Sequence, residues 1–395
     1  MDIVFISMSS WDNKISSAAL SLAKELAKQH RVFYFDNPFT LKDFVVDYKH
    51  PKIQARRKRF FSNQWRCQPL PHLGAGFHAV TPSLTLPINF LPRGAAYRFF
   101  LRINRWVVRR NLRQLLSRYH VDQYVFFNSF NPFYHNIAQG SPLLTVYQSR
   151  DDISQITYGS KHGVALEEEA IRASDISFAT SRQLARKLQK RTQRPVHHLP
   201  NAVDLAAFPY PTPPLAKPHD IAHLEQPIIG YVGNLDQRVD YALLHRLATD
   251  HPNKVVVCIG PRNDRAHHNY DFESLSNVLF LGPKPHDQLY HYLHFMACAI
   301  IPFVKNTLTA SIYPLKINEY LAMGKPVVTT DFSEDVRGFA PVCYVAPDVA
   351  SFSKMIKEAV SQTDNDLVQQ RIAFAKNNSW EARIASFWQA VGPLL

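Results

Sequence analysis

Residues 311–330 read "SIYPLKINEYLAMGKPVVTT", a helix, a stop and a strand in close succession. Pro314 suits the first turn of a helix, where its missing N–H costs nothing. Apolar residues then recur at helical spacing to about Met323. Gly324 stands where a left-handed cap is wanted, and Pro326 stops any continuation. The run "PVVTT" (326–330) reads as a buried parallel strand.

The same alternation runs through the chain. Strands are expected at "DIVFIS" (2–7), "RVFYFD" (31–36), "VDQYVFFN" (121–128), "LLTVYQS" (143–149), "DISFATS" (175–181) and "VHHLPN" (196–201). Helices fall at 16–29 and near 163–174 and 182–190. The run "FPYPTPPLAKPHD" (208–220) carries five prolines and disfavours both helix and central strand. Alternation then restarts, with strands at 227–235, 254–260, 277–282, 298–303, 326–330 and 342–346 and closing helices from about 348. These spacings predict an α/β chain of two doubly wound, Rossmann-like domains facing a cleft. The expected bounds are 1–205, a proline-rich linker over 206–224, a second domain over 225–375, and a C-terminal helix over 376–395 that crosses back to the first domain.

Composition narrows the function classes. The chain has 395 residues, 46% apolar and 19% charged, which fits a folded chain and excludes a disordered one. No apolar run approaches the roughly 18 residues that span a bilayer. The N-terminus "MDIVFISMSSWDNK" has no basic region before a long apolar stretch, so no signal peptide is expected and the location reads as cytoplasmic. Cys67, Cys258, Cys298 and Cys343 lack metal or disulfide spacing and read as thiols in a reducing compartment. Residues 1–200 hold 29 Lys and Arg against 13 Asp and Glu, a net of +16; the remainder holds 16 against 19, a net of −3. The first half therefore faces an anionic partner: a membrane surface, nucleic acid or a phosphorylated substrate.

Lys316 falls in the first turn of its helix, where it opposes the macrodipole at a cost of about 0.3–1 kcal/mol when exposed. A bound anion reverses that sign, because backbone N–H groups and an ammonium then converge on one phosphate. Glu319 lies on the same face, three residues on, and its carboxylate can accept two hydrogen bonds from a ribose diol. Together they describe a nucleotide diphosphate site. The competing reading is an ordinary Lys–Glu pair on a solvated face. The corner after the fourth strand of the second domain, where such sheets bind ligands, favours the first.

"YPLKINEYLAMGKPVVTT" resembles the donor-binding segment of bacterial glycosyltransferases of the GT-B fold, in the branch with teichuronic-acid-type and xanthan-type enzymes. "HHLPNAVDLAAF" (197–208), "IGYVGNLDQRVDYALL" (229–244) and "SFATSRQLARKL" (177–188) resemble other segments of that family in the expected order. The resemblance implies that Glu319 holds the ribose and that Lys316 and Arg238 contact the pyrophosphate. Gly233 and Asn234 of the "GNL" loop, with Tyr313, Pro314 and Leu315 at the helix start, would complete the donor site. Many retaining members carry a further glutamate eight residues before the ribose one; Ser311 stands there, which leaves the stereochemical outcome open.

Metal-independent members use cations and helix N-termini in place of magnesium, and the 18 histidines show no metal-ligand spacing. No cofactor or metal is therefore expected. An inverting transferase needs a base for the acceptor hydroxyl. Asp151 and Asp152, ending the strand "VYQSRDD", are candidates; a helix cap or turn is the competing role. Trp11 and Asp12 of "SSWDNK" are placed to touch acceptor or sugar, or to cap the next helix. Two basic segments remain. "KIQARRKRFF" (52–61) reads as a solvated face or mobile loop. In 97–119, Arg98, Arg102, Arg105, Arg109 and Arg113 recur at helical steps, beside a broad apolar surface. This is either a core helix with a charged back or a helix docked on an anionic bilayer.

The leading expectation is a metal-independent glycosyltransferase moving a sugar from a nucleotide donor, a UDP-sugar, to a glycan or lipid-linked acceptor in cell-surface polysaccharide synthesis. It would work in the cytoplasm, peripheral to the inner membrane face. A nucleotide-sugar epimerase shares this fold, and a nucleic-acid-binding or scaffold protein is the reading from another class.

Overall fold

A computed structural model describes the chain except residues 13–16, 63–65, 211–213 and 263–268. The start of the helix expected over 16–29, the end of "SSWDNK" and the middle of the proline-rich run lie outside the described residues. Two units emerge, Met1–Leu199 with Ile384–Leu395, and Pro200–Arg383.

The first unit holds β1 (Asp2–Ser7), β2 (Arg31–Phe35), β3 (Cys67–Pro69), β4 (Phe77–Val80), β5 (Tyr124–Ser129), β6 (Leu144–Ser149), β7 (Ile176–Ala179) and β8 (His197–His198). Their order is β3-β4-β2-β1-β5-β6-β7-β8, parallel except for β3 against β4. Sequence reasoning missed β3 and β4. Pro69, Pro71, Gly74 and Gly76 interrupt them, and Pro69 is tolerated because β3 is an edge strand.

The second unit holds β9 (Ile228–Val232), β10 (Val255–Ile259), β11 (Val278–Gly282), β12 (Met296–Ile301), β13 (Val327–Thr330) and β14 (Tyr344–Ala346), ordered β11-β10-β9-β12-β13-β14 and wholly parallel. β9 and β10 are buried at every residue, because helices cover both faces of such a sheet. In each unit the chain starts centrally, winds to one edge, then returns to the other side. That leaves a switch point beyond β1 and β5, and another beyond β9 and β12.

The helix of the opening stretch spans Leu315–Ala322, with Ile317, Tyr320 and Leu321 in the core. Pro314 stands just before it in extended conformation, rather than within its first turn. Gly324 takes the left-handed conformation, φ +67°, and the Lys325 N–H returns to the Tyr320 carbonyl at 3.0 Å, closing the helix. The proline-rich run belongs to the second unit, whose core includes Phe208, Ile221 and Leu224. The final helix, Trp380–Val391, begins in the second unit and ends in the first. There Phe387 packs between Phe127 and Phe178, at 5.5 and 5.7 Å between ring centroids.

Both basic segments are helical, each with one fully or nearly buried arginine and an exposed charged side. The helix Ala95–Arg118 buries only Arg105 of its arginine row, but four of the five arginines bond to neighbouring segments. Arg98 grips Glu169 with two bonds of 2.9 and 2.5 Å, and Arg105 donates to the Phe133 carbonyl at 2.7 Å. Arg109 donates to the Asn136 carbonyl, and Arg113 to Gln139 at 2.9 Å. Beside that row Phe99, Arg102, Trp106 and Arg110 form an exposed stripe. The segment 52–61 is an ordered helix, Pro51–Phe61, with Arg56 completely buried. None of the described helices is long and apolar enough to cross a membrane.

Candidate functional site

The switch point of the second unit is shaped by a missing strand contact. β12 pairs with β9 up to Ala299 opposite Gly230 and no further. Tyr320 fills the gap. Its hydroxyl accepts the Val232 N–H at 2.9 Å and donates to the Val232 carbonyl at 3.1 Å. This pins the helix Leu315–Ala322 to the last residue of β9, just before Gly233 and Asn234.

Those two residues form a tight corner. The Gly233 N–H donates to the Ile259 carbonyl at 2.9 Å, and the Tyr231 hydroxyl donates to the Asn234 carbonyl at 2.8 Å. Gly260, at φ +148°, passes so near that a Cβ on it would lie 1.9 Å from the Gly233 oxygen. Arg238 follows in the same loop. Its guanidinium is held by Asp236 at 2.8 and 2.6 Å and lies over the Phe303 ring at 5.8 Å. Its charge is thus partly neutralised at the carboxyl end of β12.

The pair from the opening stretch is not a solvated one. Glu319 is 2% exposed, and its Oε2 accepts from Lys316 Nζ at 2.8 Å. His286, in the loop after β11, brings Nε2 to 3.5 Å from Oε1 and sets its ring edge-on to Phe208. Burial drives the Glu319 carboxyl upward, but Lys316 and His286 outweigh it and hold it below the ordinary glutamate value. Glu319 is a buried anion. Such pairs rarely stabilise a fold more than apolar residues of the same volume would. A buried ionised acid at a strand-to-helix corner is therefore a functional-site signature.

The rest of the helix approach is firmly held. The Tyr313 hydroxyl accepts from Asn318 at 3.2 Å, and its carbonyl accepts from Asn201 at 3.3 Å. Burial raises the Tyr313 phenol to about 12, so it stays protonated. Pro314 and Leu315 pass directly from this anchor into the helix. Ser311, where the family's further glutamate would stand, is buried and donates to the Leu308 carbonyl at 2.8 Å.

The first unit places its candidates beyond its own strand ends. Asp12 accepts from Arg56 at 2.7 Å and from the Ser10 hydroxyl at 2.5 Å. Arg56 also binds Asp36 at 2.9 Å and Ser10 at 2.9 Å, and it faces the Trp11 ring at 5.0 Å. The Trp11 backbone N–H donates to Asp36 at 3.1 Å. Burial pushes the Asp12 carboxyl up, yet Arg56, Ser10 and Lys52 bring it below its usual value. At the end of β6, Asp152 caps a turn through Ser154 and pairs with Lys187 at 2.5 Å. Burial works against that charge but the Lys187 and Ser154 bonds prevail, lowering the carboxyl. Asp151 is exposed beside it. Below the same strand end Glu167 is fully buried, accepting from Ser149 at 2.7 Å and Tyr147 at 3.1 Å.

Residues 226–362 match the family described as glycosyl transferases group 1. That match falls wholly within the second unit. Over 120 residues the chain is 27% identical to the teichuronic acid biosynthesis glycosyltransferase TuaH of Bacillus subtilis (strain 168). That alignment spans 30% of each chain, so the match covers less than a third of the relative's length. Among solved structures, a trehalose-6-phosphate protein of E. coli bound with UDP-2-fluoro glucose aligns at a TM-score of 0.69 and 10% identity, over 99% of both chains. The sucrose-phosphate synthase of Thermosynechococcus elongatus aligns at 0.65 and 15% identity, over 100% of this chain and 98% of that one. A glycosyltransferase from Rickettsia africae aligns at 0.64 and 12% identity, again over 100% and 98%. At these identities the likeness establishes the GT-B fold. On this GT-B scaffold the residues that sequence reasoning missed are His286, Tyr320, Asp36, Arg56 and Glu167. Each acts on a residue at least 18 positions away, and only the "DISFATS" and "RVFYFD" style of strand-end polarity hinted at any of them: Asp36 closes the latter.

Proposed function

We propose that this glycosyltransferase moves a sugar from a UDP-sugar donor to a glycan or lipid-linked acceptor in cell-surface polysaccharide synthesis. The observation that carries the donor half is the buried, ionised Glu319 at the head of a helix whose first turn presents Lys316. In this reading a ribose diol donates to the Glu319 carboxylate. Lys316, about a quarter exposed, swings from Glu319 to the pyrophosphate. Arg238 and the start of the helix add positive potential as the diphosphate leaves, so no metal is invoked. Gly233 and Asn234 leave backbone room for the nucleotide. The UDP-bound neighbour of the same fold supports the choice of uridine.

For the acceptor half, Asp151, exposed at the end of β6, is the proposed general base, with Asp152 bound to Lys187 and its turn beside it. Trp11 and Asp12, fixed by Arg56, are the proposed acceptor contacts. The 97–119 region is proposed to touch an anionic membrane surface through Phe99, Arg102, Trp106 and Arg110, which are exposed, while Arg98, Arg105, Arg109 and Arg113 bond to neighbouring segments of the protein.

The test is thermal shift with UDP, GDP, dTDP and CMP. Saturating UDP, at about 100 times its dissociation constant, should add about 2.7 kcal/mol of stability. No shift with any nucleotide would falsify the donor assignment. Asp151→Asn should lower turnover with little change in donor binding; unaltered turnover would remove it as the base.

A further inference from the structure

Two short helices of the first unit, Leu41–Val46 and Pro51–Phe61, turn apolar side chains to the outside. Leu41, Val45, Val46, Tyr48 and Phe61 are between 45% and 73% exposed. The Phe44 ring joins them into one patch, lying 5.7 Å from Tyr48 and 5.6 Å from Phe61. Anchoring of the second helix comes from its other side. There Ile53 and Phe60 are buried and Arg56 binds Asp36 and Asp12. Lys42, Lys49, Arg57 and Lys58 alternate with these residues along the segment and are exposed, against a single exposed acid, Asp47. Within this segment the described ion pairs belong to Lys52 and Arg56, so these four cations are left to solvent.

A continuous exposed apolar patch marks a contact surface. Its chemistry selects the partner. Two copies meeting face to face on a two-fold axis would bring the same four cations together. Single-stranded nucleic acid would want stacking rings in a groove, whereas valines and a leucine crown this patch. An anionic bilayer satisfies both parts, taking the apolar side chains into the headgroup boundary and the cations onto phosphates.

We infer that the helices Leu41–Val46 and Pro51–Phe61 form a docking surface for an anionic membrane, with Val45, Val46 and Phe61 as the inserted residues. The surface is separate in sequence from the stripe on Ala95–Arg118. A cavity of about 310 Å³ adjoins it, lined by Thr40 and Lys42 on one side and by Phe90, Tyr97 and Leu101 on another. Docking brings the mouth of that cavity to headgroup level, where an amphiphilic acceptor would enter. This last step rests on the transferase reading; the docking itself does not.

The experiment is co-sedimentation of the full chain with vesicles of phosphatidylcholine, alone or mixed with phosphatidylglycerol. The chain should partition onto the mixed vesicles at least about tenfold more strongly than onto neutral ones, and high salt should weaken it. Val45→Asp combined with Val46→Asp and Phe61→Asp should reduce that partition by at least about tenfold. Lys42→Glu with Lys49→Glu and Lys58→Glu should abolish the preference for anionic vesicles by a second route. Melting temperature and UDP binding of both variants should match the parent, because the replaced side chains face outward. Absence of partition by the parent overturns the inference, as does unchanged partition by the apolar variant. A dimer that the apolar variant dissolves, without vesicle binding, would reassign the patch to a second copy. UDP binding, followed on the same samples, reports on the donor site separately.

Discussion

Two fully buried glutamates, one in each unit, make an instructive pair. Glu319 and Glu167 are 2% and 1% exposed, and each lies near the carboxyl end of a parallel strand. Burial acts on both in the same direction. Yet Glu319, facing Lys316 and His286, is held below the ordinary value, while Glu167, facing only the hydroxyls of Ser149 and Tyr147 at bonding distance, rises to about 7. Depth alone does not set charge in a protein. The nearest neighbours do, and a cation changes what a carboxylate at a strand end can be used for. Glu319 is an anion ready to accept hydrogen bonds; Glu167 is close to a neutral strut between β6 and the helix Gly163–Ala173.

The sharpest way to break that contrast is Glu167→Gln. A carboxyl whose folded pKa is raised stabilises the fold fully below its unfolded value near 4.5, and that contribution is lost as pH rises through about 7. Glutamine keeps the acceptor and cannot ionise. The variant should equal the parent near pH 4 and exceed it by about 3 kcal/mol at pH 8, read by urea unfolding at both pH values. Equal stabilities at pH 8 would show that Glu167 is no different from an exposed acid.

Glu319→Gln should do the reverse. Because the folded carboxyl is lowered, its contribution is present above the unfolded value and lost only as pH falls through the folded one. At neutral pH the variant should lose UDP affinity by about 10–100-fold, since charged hydrogen bonds contribute roughly 1.5–3 kcal/mol, while calorimetric uridine binding falls in parallel. Lys316→Ala comes next. It should weaken UDP by about tenfold and uridine hardly at all, and equal losses would contradict a phosphate role. The smallest effect is expected of His286→Ala, about threefold on UDP, through a less well-fixed Glu319. A loss as large as that of Glu319→Gln would make the histidine a direct ligand.

Much of the scaffold was legible because it is written in local pattern. Apolar runs such as Val255–Ile259 announce buried parallel strands, and Gly324 followed by Pro326 announces a helix end. Lys316 and Glu319 were legible as a pair because helical geometry puts residues three apart on one face. The arginine row of Ala95–Arg118 shows where this fails. Periodicity revealed that the arginines share a side, but not whether that side meets water, lipid or the segment 133–139. Arg56 is the same lesson in reverse, one residue of a charge run that is wholly buried because Asp36 and Asp12 arrive from other strand ends.

By itself, the sequence settled the alternation of strands and helices, the helix–turn–strand at 311–330 and the surplus of positive charge in the first half. These follow from properties carried by each residue and its neighbours along the chain. Tertiary structure alone decided that Tyr320 closes the gap beside β9, that His286 joins Lys316 at Glu319, and which valines face outward at the Leu41–Val46 helix. Burial, ionisation and exposure are set by what packs across space, and those partners come from dozens of positions away.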